Sequence, residues 1–239
     1  MQNGKSCGAM ELGAMRIPTL IFIGCELALF PCIQLTNGGV SGFFSYLSIA
    51  LVAVFSLLTL GGERKSHFIR LGILLTLVAD YYLVLCTDKY LEGVVSFVFV
   101  QMAYFAYTVL AEDRTSYRYA NLFTRLCLSG LLAVVASAVL GDDTDTLSVV
   151  SVIYYANLVV NMLFAFLLGR GGRLFAIGLA LFAMCDITVG MESLTSLYLD
   201  SDVFSFFYGD YINLPWIFYQ PSQVLIGLST LNAIHSRKE

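Results

Sequence analysis

Two aspartates of this chain stand alone within apolar stretches that are long enough to cross a membrane. Asp80 lies in FIRLGILLTLVADYYLVL and Asp186 lies in RLFAIGLALFAMCDITVGM. A carboxylate in hydrocarbon costs at least about 2.5–3.5 kcal/mol even on insertion scales, so it normally marks a proton site, an ion path or a catalytic site. Two neighbouring carboxyls can also divide the roles of general acid and general base. The pair therefore predicts a functional site inside the membrane.

The composition of the whole chain indicates a membrane protein. Hydrophobic residues make up 58% of the 239 residues and charged residues only 13%, whereas a soluble domain has about 25% charged residues. The mean hydropathy is +0.80. Eight stretches have about the 20 residues that a membrane-spanning helix needs, at about 17–36, 42–61, 67–87, 91–110, 118–140, 147–168, 173–197 and 212–234. We predict an all-α membrane protein, folded as one eight-helix transmembrane bundle over residues 1–239.

The distribution of charge predicts how this bundle is oriented. If the N-terminus is cytoplasmic and eight spans alternate, all of the 13 basic residues except Lys89 lie toward the inner side. Arg125, in the fifth span, is counted among these inner residues. The outer loops are rich in aspartate instead. This asymmetry follows the positive-inside rule and predicts cytoplasmic N and C termini. It fits a bacterial inner membrane and an endoplasmic-reticulum-type membrane equally well.

Further polar residues lie in the predicted spans at depths that match the two aspartates. Polar groups in hydrocarbon face inward and satisfy one another, so we predict a polar chamber that opens toward the outer half of the membrane. For each amide the alternative interpretation is a structural bond between helices. The candidate residues are Glu26, Gln101, Tyr104, Tyr154, Asn157, Asn161, Tyr219, Gln220 and Gln223.

The two aspartates also share a local frame. Each follows a glycine by eight positions, as Gly72-x7-Asp80 and Gly178-x7-Asp186. The matched frames indicate a duplication in which spans 1–4 correspond to spans 5–8. Because each half has an even number of spans, the halves would form a parallel repeat rather than an inverted one.

Other common kinds of site have no support in the sequence. The six cysteines and two histidines show neither a disulfide framework nor the spacing of a zinc site. The chain has no phosphate-binding loop, dinucleotide fingerprint or nucleophile elbow. We expect no metal, no organic cofactor and no nucleic-acid partner.

Three segments of the chain resemble the YhhN-type lysoplasmalogenase family. Residues 72–107 are similar to its first signature, a small residue followed by Asp-x-x-Leu, then Gly, Phe and His-x-x-Tyr. Residues 153–190 resemble the second signature, in which a Gly-led helix ends in Ser-Asp. Residues 218–226, FYQPSQVLI, are similar to the closing Tyr-x-x-Ala-Gln-x-Leu-Ile element. The segments occur in the family's order, and the family also has eight spans.

Four residues in these segments differ from the family's pattern. Ala79, Gln101, Cys185 and Ser222 stand where the family has Gly, His, Ser and Ala. The family's Lys-Pro element near the second span is not found. The change at Gln101 removes a titratable group.

The resemblance implies hydrolysis of the vinyl-ether bond of lysoplasmalogens, which gives a fatty aldehyde and a glycerophospho-base. Asp80 and Asp186 would act as acid and base, in either order. The lysophospholipid substrate would come from the membrane, without a cofactor. A rival interpretation is a non-enzymatic lipid-binding protein or a proton-coupled transporter, because acids inside membranes also serve proton relays. Residues that would orient substrate and water are Gln101, Tyr104, Asn157, Asn161, Tyr219 and Gln223, with Glu26 as a further candidate.

Overall fold

The structure is a computed structural model that describes residues 3–59, 65–86, 88–141, 145–198 and 213–235. Within these ranges it contains eight long α-helices and no strand. Parts of the predicted loops, at 60–64, 87, 142–144 and 199–212, lie outside the described residues. The helices are α1 (Asn3–Leu35), α2 (Gly38–Leu58), α3 (Ser66–Asp80), α4 (Tyr90–Leu110), α5 (Thr115–Leu140), α6 (Thr146–Leu167), α7 (Arg173–Tyr198) and α8 (Leu214–His235).

The helices confirm the predicted all-α membrane protein. In the part of the chain that the structure describes, seven helices are long and apolar enough to cross a membrane. The eighth, α8, has 22 residues but carries two glutamines and Pro221 in its centre, which lower its hydropathy. The chain is therefore a multi-pass membrane protein. The orientation of its termini and the internal repeat stay predictions.

The centre of the bundle is formed by the helices that carry the two aspartates and their neighbours. The most extensive contacts are those of α7 with α8 and of α3 with α4, followed by those of α4 and α7 with α6. Helix α8 also contacts α1, α2 and α3. Helix α5 lies at the periphery, where it mainly contacts α6, and none of its most apolar window is buried.

The glycines of the two matched frames lie at close helix contacts. A Cβ atom on Gly72 would lie 2.1 Å from Cε1 of Tyr104, so the tyrosine ring of α4 packs directly on this glycine. A Cβ atom on Gly178 would lie 2.7 Å from Cγ1 of Ile226 and 3.1 Å from the carbonyl oxygen of Ser222. Gly72 thus lets α3 approach α4 closely, and Gly178 lets α7 approach α8 closely.

Two helix ends are closed by charged side chains. Arg70 donates from Nε to the carbonyl oxygen of Ser56 at 3.1 Å and from Nη2 to that of Thr59, which satisfies carbonyls at the end of α2. At the start of α6, Oδ1 of Asp145 accepts from the Ser148 hydroxyl at 2.6 Å and from its backbone N–H at 2.8 Å. These bonds hold the pKa of Asp145 below its ordinary value.

Candidate active site

Each of the two membrane aspartates accepts a hydrogen bond from a tyrosine on another helix. The Tyr219 hydroxyl of α8 donates to Oδ2 of Asp80 at 2.6 Å. The Tyr154 hydroxyl of α6 donates to Oδ2 of Asp186 at 2.6 Å. In both pairs one carboxyl oxygen is held by the tyrosine, so the orientation of the carboxyl is fixed by a bond between helices.

The two carboxyls belong to one cluster. Asp80 and Asp186 are close enough to interact electrostatically, and the Tyr154 side chain interacts with both. The Phe182 ring packs against both tyrosines, with centroid distances of 5.2 Å to Tyr219 and 6.3 Å to Tyr154. The structure thus brings both predicted acids together in aromatic surroundings, where charge interactions are stronger than in water.

The two aspartates differ in accessibility. Asp80 is only 2% exposed, whereas Asp186 is partly exposed. The chain changes immediately after Asp80 into a π-helical turn, Tyr81–Leu85. Turns of this kind interrupt α-helices frequently at functional sites. Asp186 is therefore less enclosed by protein than Asp80, which lies at the end of α3.

A set of buried polar atoms lies on the helices that carry the aspartates or contact them. Buried polar atoms normally have a hydrogen-bond partner, so these atoms are available to bind water or the polar part of a ligand. The Tyr104 and Thr76 hydroxyls lie beside each other without completing a hydrogen bond. The atoms without a partner among the described residues include Thr76 Oγ1, Gln101 Nε2, Tyr104 OH, Ser222 Oγ and both polar atoms of Gln223.

Glu26 belongs to a different cluster. Its Oε2 atom accepts from the Ser48 hydroxyl at 2.6 Å and from Nε2 of Gln220 at 2.8 Å, and it is 4% exposed. These bonds join α1, α2 and α8 on the side of α8 that carries Gln220. The hydrogen bonds of Glu26 therefore do not connect it to the aspartates.

Asn157 and Asn161 contact a residue that the sequence interpretation missed. The carbonyl oxygens of both amides accept from the Arg125 guanidinium. Asn161 also donates from Nδ2 to Oε1 of Gln101 at 2.9 Å. The positive-inside rule assigned Arg125 to the inner surface as a basic residue, so these contacts were not predicted. The apolar run LFTRLCL nevertheless places Arg125 well inside the fifth span.

Tyr154 is the other partner that the sequence alone did not assign. Its spacing of three and seven positions from Asn157 and Asn161 puts the three residues on one helical face, and this shared face was the available signal. Among the described residues, no group of three or more His, Cys, Asp and Glu side chains could hold a metal ion. The expected absence of a cofactor stays a prediction.

Comparison with known proteins identifies the family. No curated protein and no solved structure matches the chain with significance. The sequence model of the YhhN family matches residues 40–230, a range that contains Asp80, Asp186 and both of their tyrosine partners but not Glu26. Because the match covers most of the 239 residues, the chain belongs to the YhhN family.

Proposed function

We propose that this protein is an intramembrane hydrolase that cleaves the vinyl-ether bond of lysoplasmalogens. The observation that carries the proposal is the pair of interacting carboxyls, each held by a tyrosine hydroxyl at 2.6 Å. Membership of the YhhN family supports a hydrolase of this type. The many apolar side chains exposed on the outer faces of the helices suit a protein that takes its substrate from the bilayer.

Vinyl-ether hydrolysis needs one proton donor and one activated water. A carboxylic acid protonates the carbon of the double bond that is remote from the ether oxygen, which leaves an oxocarbenium-like cation on the other carbon. Water adds to this cation and loses a proton to the second carboxylate. The hemiacetal then breaks its bond to the glycerol oxygen, which takes up a proton, and an aldehyde and a glycerophospho-alcohol leave. A pair of carboxyls performs comparable work in glycosidases.

The difference in accessibility supports an assignment of the two roles. Asp186 is the less enclosed of the two carboxyls, so in this proposal Asp186 activates the attacking water. The enclosed Asp80 donates the proton. Tyr154 and Tyr219 fix one oxygen of each carboxyl and leave the other oxygen to face the reacting atoms. Gln101 and Gln223, with unpartnered buried amide atoms, would orient the glycerol oxygens and the water.

The reaction is tested with the purified native protein and three lysolipids that differ only at the first glycerol oxygen. A vinyl ether, a saturated alkyl ether and an acyl ester are incubated in heavy water, and the products are identified by mass spectrometry. We expect turnover of the vinyl ether alone and one deuterium on the carbon next to the aldehyde group, because that carbon receives the catalytic proton. Aldehyde without this deuterium would contradict the mechanism.

A native protein that cleaves none of the three lipids would refute the hydrolase proposal for these substrates. The protein would then be tested in sealed vesicles as a proton-coupled transporter. Proton uptake that is lost in an Asp80→Asn variant, without any lipid turnover, would support that rival function.

A further inference from the structure

Arg125 carries a charge that the described part of the chain does not neutralise. It lies in the middle of the membrane-spanning stretch Thr115–Val139 of α5, where a charged side chain is costly and normally has a partner of opposite charge. The ion pairs of the described residues join Arg114 to Glu112 and Arg118 to Asp113. Neither ion pair involves Arg125, and its hydrogen-bond partners among the described residues are neutral side chains.

The neighbours of Arg125 are neutral and are arranged to hold a cation. The guanidinium donates from Nη2 to Oδ1 of Asn121 at 3.1 Å and to Oδ1 of Asn161 at 2.8 Å, and from Nη1 to Oδ1 of Asn157. It also lies 4.4 Å from the centre of the Phe105 ring, at a distance suited to a cation–π interaction.

The three asparagine amides have their orientation fixed from the other side. Asn157 donates to the carbonyl oxygen of Ile153 at 2.6 Å, Asn161 donates to Gln101 at 2.9 Å, and Asn121 donates to the Thr108 hydroxyl at 3.4 Å. Each amide oxygen is thereby directed at the guanidinium. The arrangement holds the arginine in place but adds no negative charge.

Arg125 retains capacity to bind an anion. A guanidinium has five N–H groups, of which three are used by the asparagines. Its Nε atom is buried without a partner among the described residues, and the side chain as a whole is partly exposed. Arginine binds phosphate well because it is always charged and offers several donors. The anions that a membrane supplies are the phosphates of its lipids, and α5 lies at the periphery of the bundle.

The position of Arg125 relative to the carboxyls suits one particular lipid. Asn157, which contacts Arg125, follows Tyr154, which holds Asp186, by three residues of α6, a rise of about 4.5 Å. In a lysophospholipid the phosphate is joined to the first glycerol oxygen through only the three glycerol carbons. A lipid with its phosphate at Arg125 can therefore place its ether near Asp186. We infer that Arg125, held by Asn121, Asn157 and Asn161, binds the phosphate of the lysophospholipid substrate, an inference that rests on the proposed function.

Direct binding tests this inference independently of turnover. The ligands are an alkyl-ether lysophosphatidylcholine, which the proposed reaction does not cleave, and the alkylglycerol with the same chain and no phosphate. Binding is measured by equilibrium dialysis in an uncharged maltoside detergent. We expect the native protein to prefer the phosphate-bearing ligand. Arg125→Gln should weaken binding of that ligand by on the order of 10–100-fold and leave binding of the alkylglycerol unchanged.

Two further variants separate phosphate binding from a structural role. Asn157→Asp keeps Arg125 and places a carboxylate beside it. The variant should maintain the hydrogen bond between α5 and α6, but the carboxylate should neutralise Arg125 and abolish the preference for the phosphate-bearing ligand. This variant decides the question if Arg125→Gln does not fold. Arg118→Gln, on the same helix, removes an equal charge outside the cluster and should change neither affinity.

Four results would overturn the inference. Three of them are seen with the two test ligands. They are equal affinity of the native protein for both ligands, an equal loss of both affinities in Arg125→Gln, and a phosphate preference that survives in Asn157→Asp. Displacement of the lysolipid by an equal concentration of two-chain phospholipid would also overturn the assignment to the substrate, because it would assign the site to bulk lipid. A protein that shows the expected binding pattern but cleaves no vinyl ether would leave the phosphate site standing and refute the proposed reaction.

Discussion

Replacing Gly72 with alanine tests how the aspartate-bearing helices are packed. The added Cβ would lie 2.1 Å from Cε1 of Tyr104, and ordinary contacts begin at 3.4 Å. The ring cannot move away freely, because Tyr104 is 0% exposed and packs edge-on against Phe175 with a centroid distance of 5.1 Å. Overpacking of this kind costs about 1–3 kcal/mol.

The matched control is Gly130→Ala, since a Cβ on Gly130 of α5 meets nothing within 4 Å. Both substitutions gain the same roughly 0.5–1 kcal/mol that alanine has over glycine in a helix, so the difference between the variants isolates the clash. For a chain of this size 1 kcal/mol corresponds to about 2–4 °C. We therefore expect Gly72→Ala to melt about 2–12 °C below Gly130→Ala.

Thermal unfolding in detergent measures this difference, and aldehyde release measures its effect on the site. Gly72→Ala should also lose turnover, because the displaced Tyr104 hydroxyl lies beside Thr76, one helical turn before Asp80. Gly178→Ala, whose Cβ would meet the backbone of α8 at 3.1 Å, should be destabilised as well. A Gly72→Ala protein that melts at or above the temperature of Gly130→Ala would refute the packing of Tyr104 on Gly72.

Four other substitutions probe the hydrogen bonds of the bundle. Tyr154→Phe and Tyr219→Phe each remove a hydrogen bond to a carboxyl, worth about 1.5–3 kcal/mol. We expect kcat/KM for the vinyl-ether lipid to fall on the order of 10–100-fold in each variant. Unchanged kinetics would show that the tyrosines do not position the acids. Arg70→Gln should lower the free energy of unfolding by about 1–3 kcal/mol, as thermal unfolding would reveal, because the Thr59 carbonyl loses the Arg70 donor whereas the Ser56 carbonyl keeps the Thr59 hydroxyl. Glu26→Gln keeps an acceptor in its cluster and should retain turnover, and an inactive, folded variant would place Glu26 in the mechanism after all.

The sequence was sufficient to predict the helices and the two central acids. Apolar stretches of about 20 residues have a single stable form in hydrocarbon, and a lone carboxylate within such a stretch stands out. The spacing of Gly72 and Gly178 from the aspartates was also visible. Their packing partners were not, because a side chain of α4 covers the first glycine and Ser222 and Ile226 of α8 cover the second.

The partners of the polar residues depended on the folded arrangement. Arg125 meets Asn157 and Asn161, which lie 32 and 36 positions away, and no local pattern encodes such a contact. The positive-inside rule treats arginine as a marker of the inner surface, so it gave no reason to look for a site there. Glu26 shared its predicted depth with the aspartates, but depth does not fix the direction in which a side chain points. Its bonds lead to Ser48 and Gln220 instead.

The bounds of the helices differ from the prediction where hydropathy carries little information. The backbone of α1 is helical from Asn3, well before the predicted start at about 17, because a helix can continue beyond the hydrocarbon. The third span ends in the π-helical turn Tyr81–Leu85. There Leu83 lies against Gly93 of α4, a tertiary contact that composition does not reveal.

The most direct test of the central claim is aldehyde release from a lysoplasmalogen by Asp80→Asn and Asp186→Asn proteins. Asparagine keeps the shape of the side chain and an oxygen that can accept from the tyrosine, but it neither donates a catalytic proton nor activates water. Asp145→Asn, at the exposed start of α6, is the control. We predict that both membrane variants fold and lose turnover on the order of 10²–10⁴-fold, while the control keeps native turnover. Native turnover in either folded membrane variant would contradict the claim that these two carboxyls perform the reaction.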